Sequence, residues 1–153
     1  MLNQWDNDTL IKNLNITVMK SNLITHLKNY YREKPEVIAV YLFGSKATAK
    51  SARSSDVDIG ILLDIRDKTT EIEKKDQYMA DLANILKKEI HPVILNSAGE
   101  ELMRQIFTKG KCIIVTDKKK LALFKMTMFV RIAEYNYYRS QMQAGLIRHI
   151  MED

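Results

Sequence analysis

YLFGSKATAKSARSSDVDIGILLD, residues 41–64, sets a Gly-Ser pair behind one apolar run and an Asp-Val-Asp at the head of a second. The first run, Val37, Ile38, Val40, Tyr41, Leu42 and Phe43, is mostly β-branched or aromatic and reads as a strand over 36–43. The second reads as a strand over 56–63. Between them Gly44, which has no Cβ, lets the backbone come close to a ligand. Ser45 opens a short helical turn whose free N–H groups attract phosphate oxygens, and its hydroxyl adds a donor. Lys46 puts a positive charge nearby. Asp56 and Asp58, at i and i+2, face one side of a strand, with Val57 and Ile59 on the other. Two carboxylates repel each other and are costly beside apolar neighbours unless a cation joins them. Mg²⁺, which takes one or two carboxylates together with phosphate oxygens, would do so. The stretch therefore reads as a cradle for a triphosphate facing a carboxylate pair for a metal, an arrangement suited to in-line attack on a nucleoside triphosphate. A Gly-Ser turn or an Asp-x-Asp is common by itself. The weight comes from finding both, ten residues apart, each tied to an apolar strand.

The chain has 153 residues, the size of one domain, with 46% hydrophobic and 28% charged residues. We expect a single unit with a core at about 36–116, an N-terminal helical segment at 7–34 and a C-terminal helix at 118–150. The formal charge of +5 is spread out apart from Lys118, Lys119 and Lys120, so direct contact with nucleic acid is not the favoured reading. The one cysteine, Cys112, sits in a strand-like run and is expected to be a small buried apolar residue in a reducing cytoplasm. No apolar stretch has the length of a membrane span, and the N-terminus lacks the pattern of a signal peptide.

Asn7 or Asp8 can cap a first helix carrying Leu10, Ile11, Leu14, Val18, Leu23, Ile24 and Leu27. After the second strand, Thr69 or Thr70 opens a helix to about Lys88, with Ile72, Tyr78, Met79, Leu82, Ile85 and Leu86 facing inward. A short strand over 91–95 follows, with Pro92 suiting a strand start or a sheet edge. Ser97, three residues before Glu100, has capping-box spacing for a helix that ends near Thr108, before Gly110. A strand over 112–115 and a long helix capped by Asp117 complete the chain. The link between the first two strands is too short for a parallel crossover. The class is α+β: a small mixed or antiparallel sheet of about four strands with helices packed on it.

Gly44-Ser45, ten residues, then Asp56-Val57-Asp58 resembles the signature of the DNA polymerase β-like nucleotidyltransferase superfamily. The small size resembles its minimal nucleotidyltransferase (MNT) branch, whose members serve as antitoxins to HEPN-domain toxin ribonucleases. The resemblance is anchored on residues 41–63 and extends more loosely to Asn96-Ser97-Ala98 and Gly110. It implies a polymerase β-like fold with an extra N-terminal and a long C-terminal helix. It also implies Mg²⁺-dependent transfer of AMP from ATP to a tyrosine of a cognate toxin, in a type VII-like toxin–antitoxin pair. Carried over by position, Gly44 and Ser45, with Lys46 beside them, would bind nucleotide, and Asp56 and Asp58 would hold the metal. The family usually has a third carboxylate on the next strand. Here that position falls at His91, with Glu89 two residues earlier on the same face if the strand starts there. A histidine can act as a base near neutral pH. The alternative is an MNT-fold antitoxin with weak or no catalysis that neutralises its toxin by binding.

In the C-terminal helix, Leu121, Phe124, Met128, Tyr135, Tyr138 and Met142 form one stripe suited to packing on the sheet. Met126, Phe129, Val130, Ala133 and Tyr137 lie on other faces. Apolar residues beyond one stripe mark either a helix central to the fold or a second surface for a homo- or hetero-oligomer.

Overall fold

The structure, a computed structural model, describes residues 17–18, 21–44 and 56–152. Ser45, Lys46, the polar loop after them and the first half of the N-terminal segment, with Leu10, Ile11 and Leu14, lie outside the described residues. The elements are helix α1 (21–32), strand β1 (Val37–Phe43), strand β2 (Val57–Leu63), helix α2 (Lys68–Leu86), strand β3 (Ile90–Ile94), helix α3 (Glu100–Lys109), strand β4 (Lys111–Val115) and helix α4 (Lys118–Glu152). A 3-10 turn, Leu95–Ser97, follows β3.

Among the described residues the strands form one mixed sheet in the order β3-β2-β1-β4. β1 is antiparallel to β2 and β4, whereas β2 and β3, joined through α2, are parallel. The short β1–β2 link thus gives the antiparallel pair its length demands, and the α2 crossover gives the parallel one. Pro92 lies in β3, at the sheet edge.

Helices cover both faces of the sheet. On one side Leu23, Leu27 and Tyr31 of α1 and Tyr78 and Leu82 of α2 pack against Val40, Leu42, Val57, Ile59 and Ile61. On the other, Met103 and Ile106 of α3 and Leu121, Met128 and Ile132 of α4 pack against Ile38, Ala39, Tyr41 and Leu62. A register shift between Val37 and Ala39 lets consecutive Ile38 and Ala39 both join the second core. Glu36 links α2 to the foot of β1: it accepts from Tyr78 Oη at 2.8 Å and pairs with Lys74 at 2.8 Å.

Several local expectations need correction. Asp67, not Thr69 or Thr70, caps α2, accepting from Thr70 N–H at 2.9 Å. Gly99 rather than Ser97 is the N-cap of α3, because Leu95–Ser97 is already coiled into the 3-10 turn. On α2, Ile72 and Met79 are exposed. Each is one residue on from buried Glu71 or Tyr78, and so is turned about 100° away from the sheet. Ile85, near the C-terminal end of α2, is also exposed. Cys112 is exposed, since β4 is an edge strand of which only Ile113 is buried. Asp117 does cap α4, accepting from Lys120 N–H at 2.9 Å. No described helix is long and apolar enough to cross a membrane.

Asn96, in the 3-10 turn, fixes the far end of β2. Its Oδ1 accepts from Leu63 N–H at 2.9 Å, and its Nδ2 donates to Leu63 C=O at 2.8 Å and to Ile65 C=O at 3.3 Å. One side chain thereby continues the ladder past the point where β3 ends. Asn96→Ala leaves these partly buried backbone groups without partners, and we expect a loss of about 1–3 kcal/mol in urea titration. A loss below about 0.5 kcal/mol would show that water replaces the amide without cost.

Candidate functional site

The site forms where β1 ends and β2 and β3 begin. Antiparallel pairing sets Phe43 opposite Asp58, so the chain leaves β1 through Gly44 beside the Asp58 side chain. Gly44 has φ +65°, and a Cβ there would lie 2.0 Å from Asp58 Oδ2. Only glycine meets both conditions, the left-handed backbone and the close carboxylate.

Strand alternation puts Asp58 on the α3/α4 side of the sheet, with Leu62 two pairs further along. Parallel pairing sets Asp58 opposite His91, which shares its face with Val93. Asp56 precedes β2, and its Oδ2 is 3.6 Å from His91 Nε2. Glu89 precedes β3, and its Oε1 is 3.4 Å from the same nitrogen. Ligand atoms of Asp56, Glu89 and His91 all lie within 4.8 Å of one another. Glu89 is kept in place by its own backbone, whose carbonyl accepts from Val57 N–H at 3.0 Å. The structure thus brings Gly44, Asp56, Asp58, Glu89 and His91 to one end of the sheet.

Burial pushes the Asp58 carboxyl above the ordinary aspartate range; His91 pulls it back and Asp56 pushes it up again, with a net rise. A carboxylate at this position is costly for the apo protein, and a cation would relieve that cost. The exposed donor set of Asp56, Glu89 and His91, two carboxylates and an imidazole with Asp58 beside them, fits a divalent cation. The Gly44 close approach also keeps bulk away from Asp58 where a phosphate would need to come near.

The sequence pattern singled out the two aspartates, and the family resemblance pointed to His91, which the register sets opposite Asp58. It gave Glu89 only a conditional place, because its position depends on where β3 starts and on the β2–β3 register.

Residues 25–119 match the family described as Polymerase beta, Nucleotidyltransferase. The protein adenylyltransferase MntA of Shewanella oneidensis is 35% identical over 78 residues, covering 50% of this chain and 53% of that protein. The matched region thus spans about half the length of this curated relative. A solved complex of a tri-AMPylated S. oneidensis HEPN toxin with its MNT antitoxin is similar at TM-score 0.61 and 25% identity, covering 86% of this chain and 98% of that one. A toxin–antitoxin structure with AMP-PNP is similar at TM-score 0.61 and 28% identity, covering 85% and 97%. A MntA–HpeT mutant with two aspartates changed to glutamate is similar at TM-score 0.63 and 25% identity, covering 84% and 98%. With 95 consecutive residues (25 through 119) matched out of 153, the chain belongs to the polymerase beta nucleotidyltransferase family.

Proposed function

We propose that this protein transfers AMP from ATP to a tyrosine hydroxyl of a cognate HEPN toxin, acting as its antitoxin in the cytoplasm. The observation that carries the reading is the convergence of Asp56, Asp58 and the Gly44 turn at one end of the sheet in a nucleotidyltransferase chain. The similarity to a named protein adenylyltransferase and to complexes with a tri-AMPylated toxin supports the acceptor class. The similar structure with AMP-PNP supports an adenine triphosphate as donor. The double aspartate variant of a related complex alters two positions spaced as Asp56 and Asp58 are.

In this reading the tyrosine oxygen bonds to the α-phosphorus, the bond to the bridging oxygen breaks, and pyrophosphate leaves. Asp56 and Asp58, with Glu89 and His91 beside them, would hold a divalent cation, Mg²⁺ by expectation. Bound there, the cation would neutralise the charge that builds on the triphosphate. Gly44 keeps space for the phosphates, and Ser45 and Lys46 are the further nucleotide contacts. A carboxylate takes the acceptor proton. The chain acts as one unit, with core, N-terminal segment and C-terminal helix together.

The exposed face of α4 favours a second contribution, neutralisation by binding. Among the described residues of α4 only Leu121, Met128 and Ile132 are buried, with Phe124 and Lys125 partly so. Every described residue from Ala133 to Met151 is exposed, including Tyr135, Tyr138 and Met142 of the expected sheet-packing stripe. Beyond Ile132 the stripe leaves the second core, and the helix is held there by an ion pair from Arg139 to Glu101, at the start of α3. We assign this face to the toxin.

Three expected outcomes follow from the site and the helix. Asp56→Asn with Asp58→Asn abolishes label transfer from α-labelled ATP to the toxin; transfer at the parental rate refutes the assignment. Asp58→Asn alone, in metal-free buffer at pH 7, melts higher than the parent. The raised Asp58 pKa means that ionisation costs the folded state. That cost appears as pH rises through the ordinary value of about 3.9, so the difference should close below it. A lower melting point for Asp58→Asn at pH 7 would contradict the electrostatics. Finally, glutamate at Tyr138, Met142 and Leu146 together weakens toxin binding on the order of 100-fold, by calorimetry, while unfolding shifts by less than about 0.5 kcal/mol. Parental affinity in that variant removes α4 from the interface.

A further inference from the structure

The position opposite Asp58 on β3 is an imidazole, not an oxygen donor. His91 Nε2 is 3.6 Å from Asp56 Oδ2 and 3.4 Å from Glu89 Oε1. Both are longer than a hydrogen bond, which would sit at about 2.7–3.2 Å. They suit donors that share an ion. Ligand bonds of about 2.1 Å place neighbouring donors roughly 3 Å apart and opposed donors roughly 4.2 Å apart. The observed 4.8 Å limit on the whole set closes onto one ion with small side-chain movements, since all three residues are exposed and free to adjust. The same nitrogen faces both carboxylates, so a neutral imidazole would present its lone pair to the space between them.

From this we infer that His91 is a ligand of the cation at this site, and that it makes the site prefer an octahedral first-row transition cation over Mg²⁺. The inference rests on the nucleotidyltransferase reading above and specifies its cofactor. Mg²⁺ takes oxygen ligands and gives up water reluctantly, so an imidazole gains little from it. First-row transition ions accept imidazole, and Mn²⁺ also binds carboxylate and phosphate oxygens. A mixed set of Asp56, Glu89 and His91 therefore discriminates by ligand chemistry, where an all-carboxylate set would discriminate mainly by ion size.

The probe is Mn²⁺ added to the full chain with a non-hydrolysable ATP analogue. Pulsed electron paramagnetic resonance reads ¹⁴N coupling from a bound imidazole, and continuous-wave spectra read displacement by Mg²⁺. The expected result is ¹⁴N modulation in the parent and none in His91→Asp. Half-displacement of Mn²⁺ should need at least about tenfold more Mg²⁺ in the parent than in that variant. His91→Gln, which keeps a neutral side chain without the imidazole, repeats the test should His91→Asp fail to fold. Bound Mn²⁺ without ¹⁴N coupling, or with coupling and displacement unchanged by either variant, overturns the inference and leaves the nucleotidyltransferase reading standing. Failure of the folded parent to bind either Mn²⁺ or Mg²⁺ overturns both.

Discussion

The site depends on one close approach: the Asp58 carboxylate against the bare backbone of Gly44, at the point where β1 gives way to the next segment. The contact is set by sheet register. Phe43 pairs with Asp58, so the residue after Phe43 must pass beside that side chain, and no residue with a Cβ could do so without moving it. The parallel pairing of β2 with β3 then sets His91 opposite Asp58. An antiparallel β1–β2 pair and a parallel β2–β3 pair bring the end of one strand and the beginnings of two others to the same edge of the sheet. Chemistry collects at that end because the topology leaves three chain segments free to supply it.

How much of this could be read from sequence depends on the range of the interaction. Strand alternation is local and gives Asp58 its side of the sheet, whereas Asp56 lies one residue before β2, so that rule does not reach it. The antiparallel β1–β2 pairing was legible from a short link. Glu89 was legible only conditionally, since its carboxylate meets His91 and Asp56 through a register that α2 establishes from a distance. Asn96 showed as a motif position but not as a role. Its three bonds run to Leu63 and Ile65, more than thirty residues away, and nothing in Leu-Asn-Ser announces that partner. The inward face of α2 was legible in part: Tyr78, Leu82 and Leu86 do pack on the core. Ile72, Met79 and Ile85 are exposed, because apolar composition alone does not say which line along the helix meets the sheet.

The two sides of the sheet carry different loads. Towards α1 and α2 the strands present an unbroken apolar surface, Val57, Ile59, Ile61 and Leu63 from β2 alone, closed by the packed rings of Tyr30, Tyr31 and Tyr78. Towards α3 and α4 the same strand presents Asp58, Gly60 and Leu62. The α3/α4 side thus gives up packing at one end to hold a carboxylate whose ionisation the fold disfavours. The uninterrupted core behind it is what makes that concession tolerable.

α4 belongs to the α3/α4 side, and this connects the two parts of the proposed function. Its first turns pack on the second core through Leu121 and Met128. Ion pairs from Arg131 to Glu100 and from Arg139 to Glu101 at 3.3 Å then tie it to the start of α3. The first pair precedes the exposed half of the helix and the second falls within it, so the domain holds α4 on both sides of that boundary. A protein clasped by Tyr138, Met142 and Leu146 would be tethered to a helix that the domain holds at the start of α3. Tethering converts a bimolecular transfer into one governed by effective concentration. Binding through α4 and transfer at the carboxylates would then be two operations on one tethered protein.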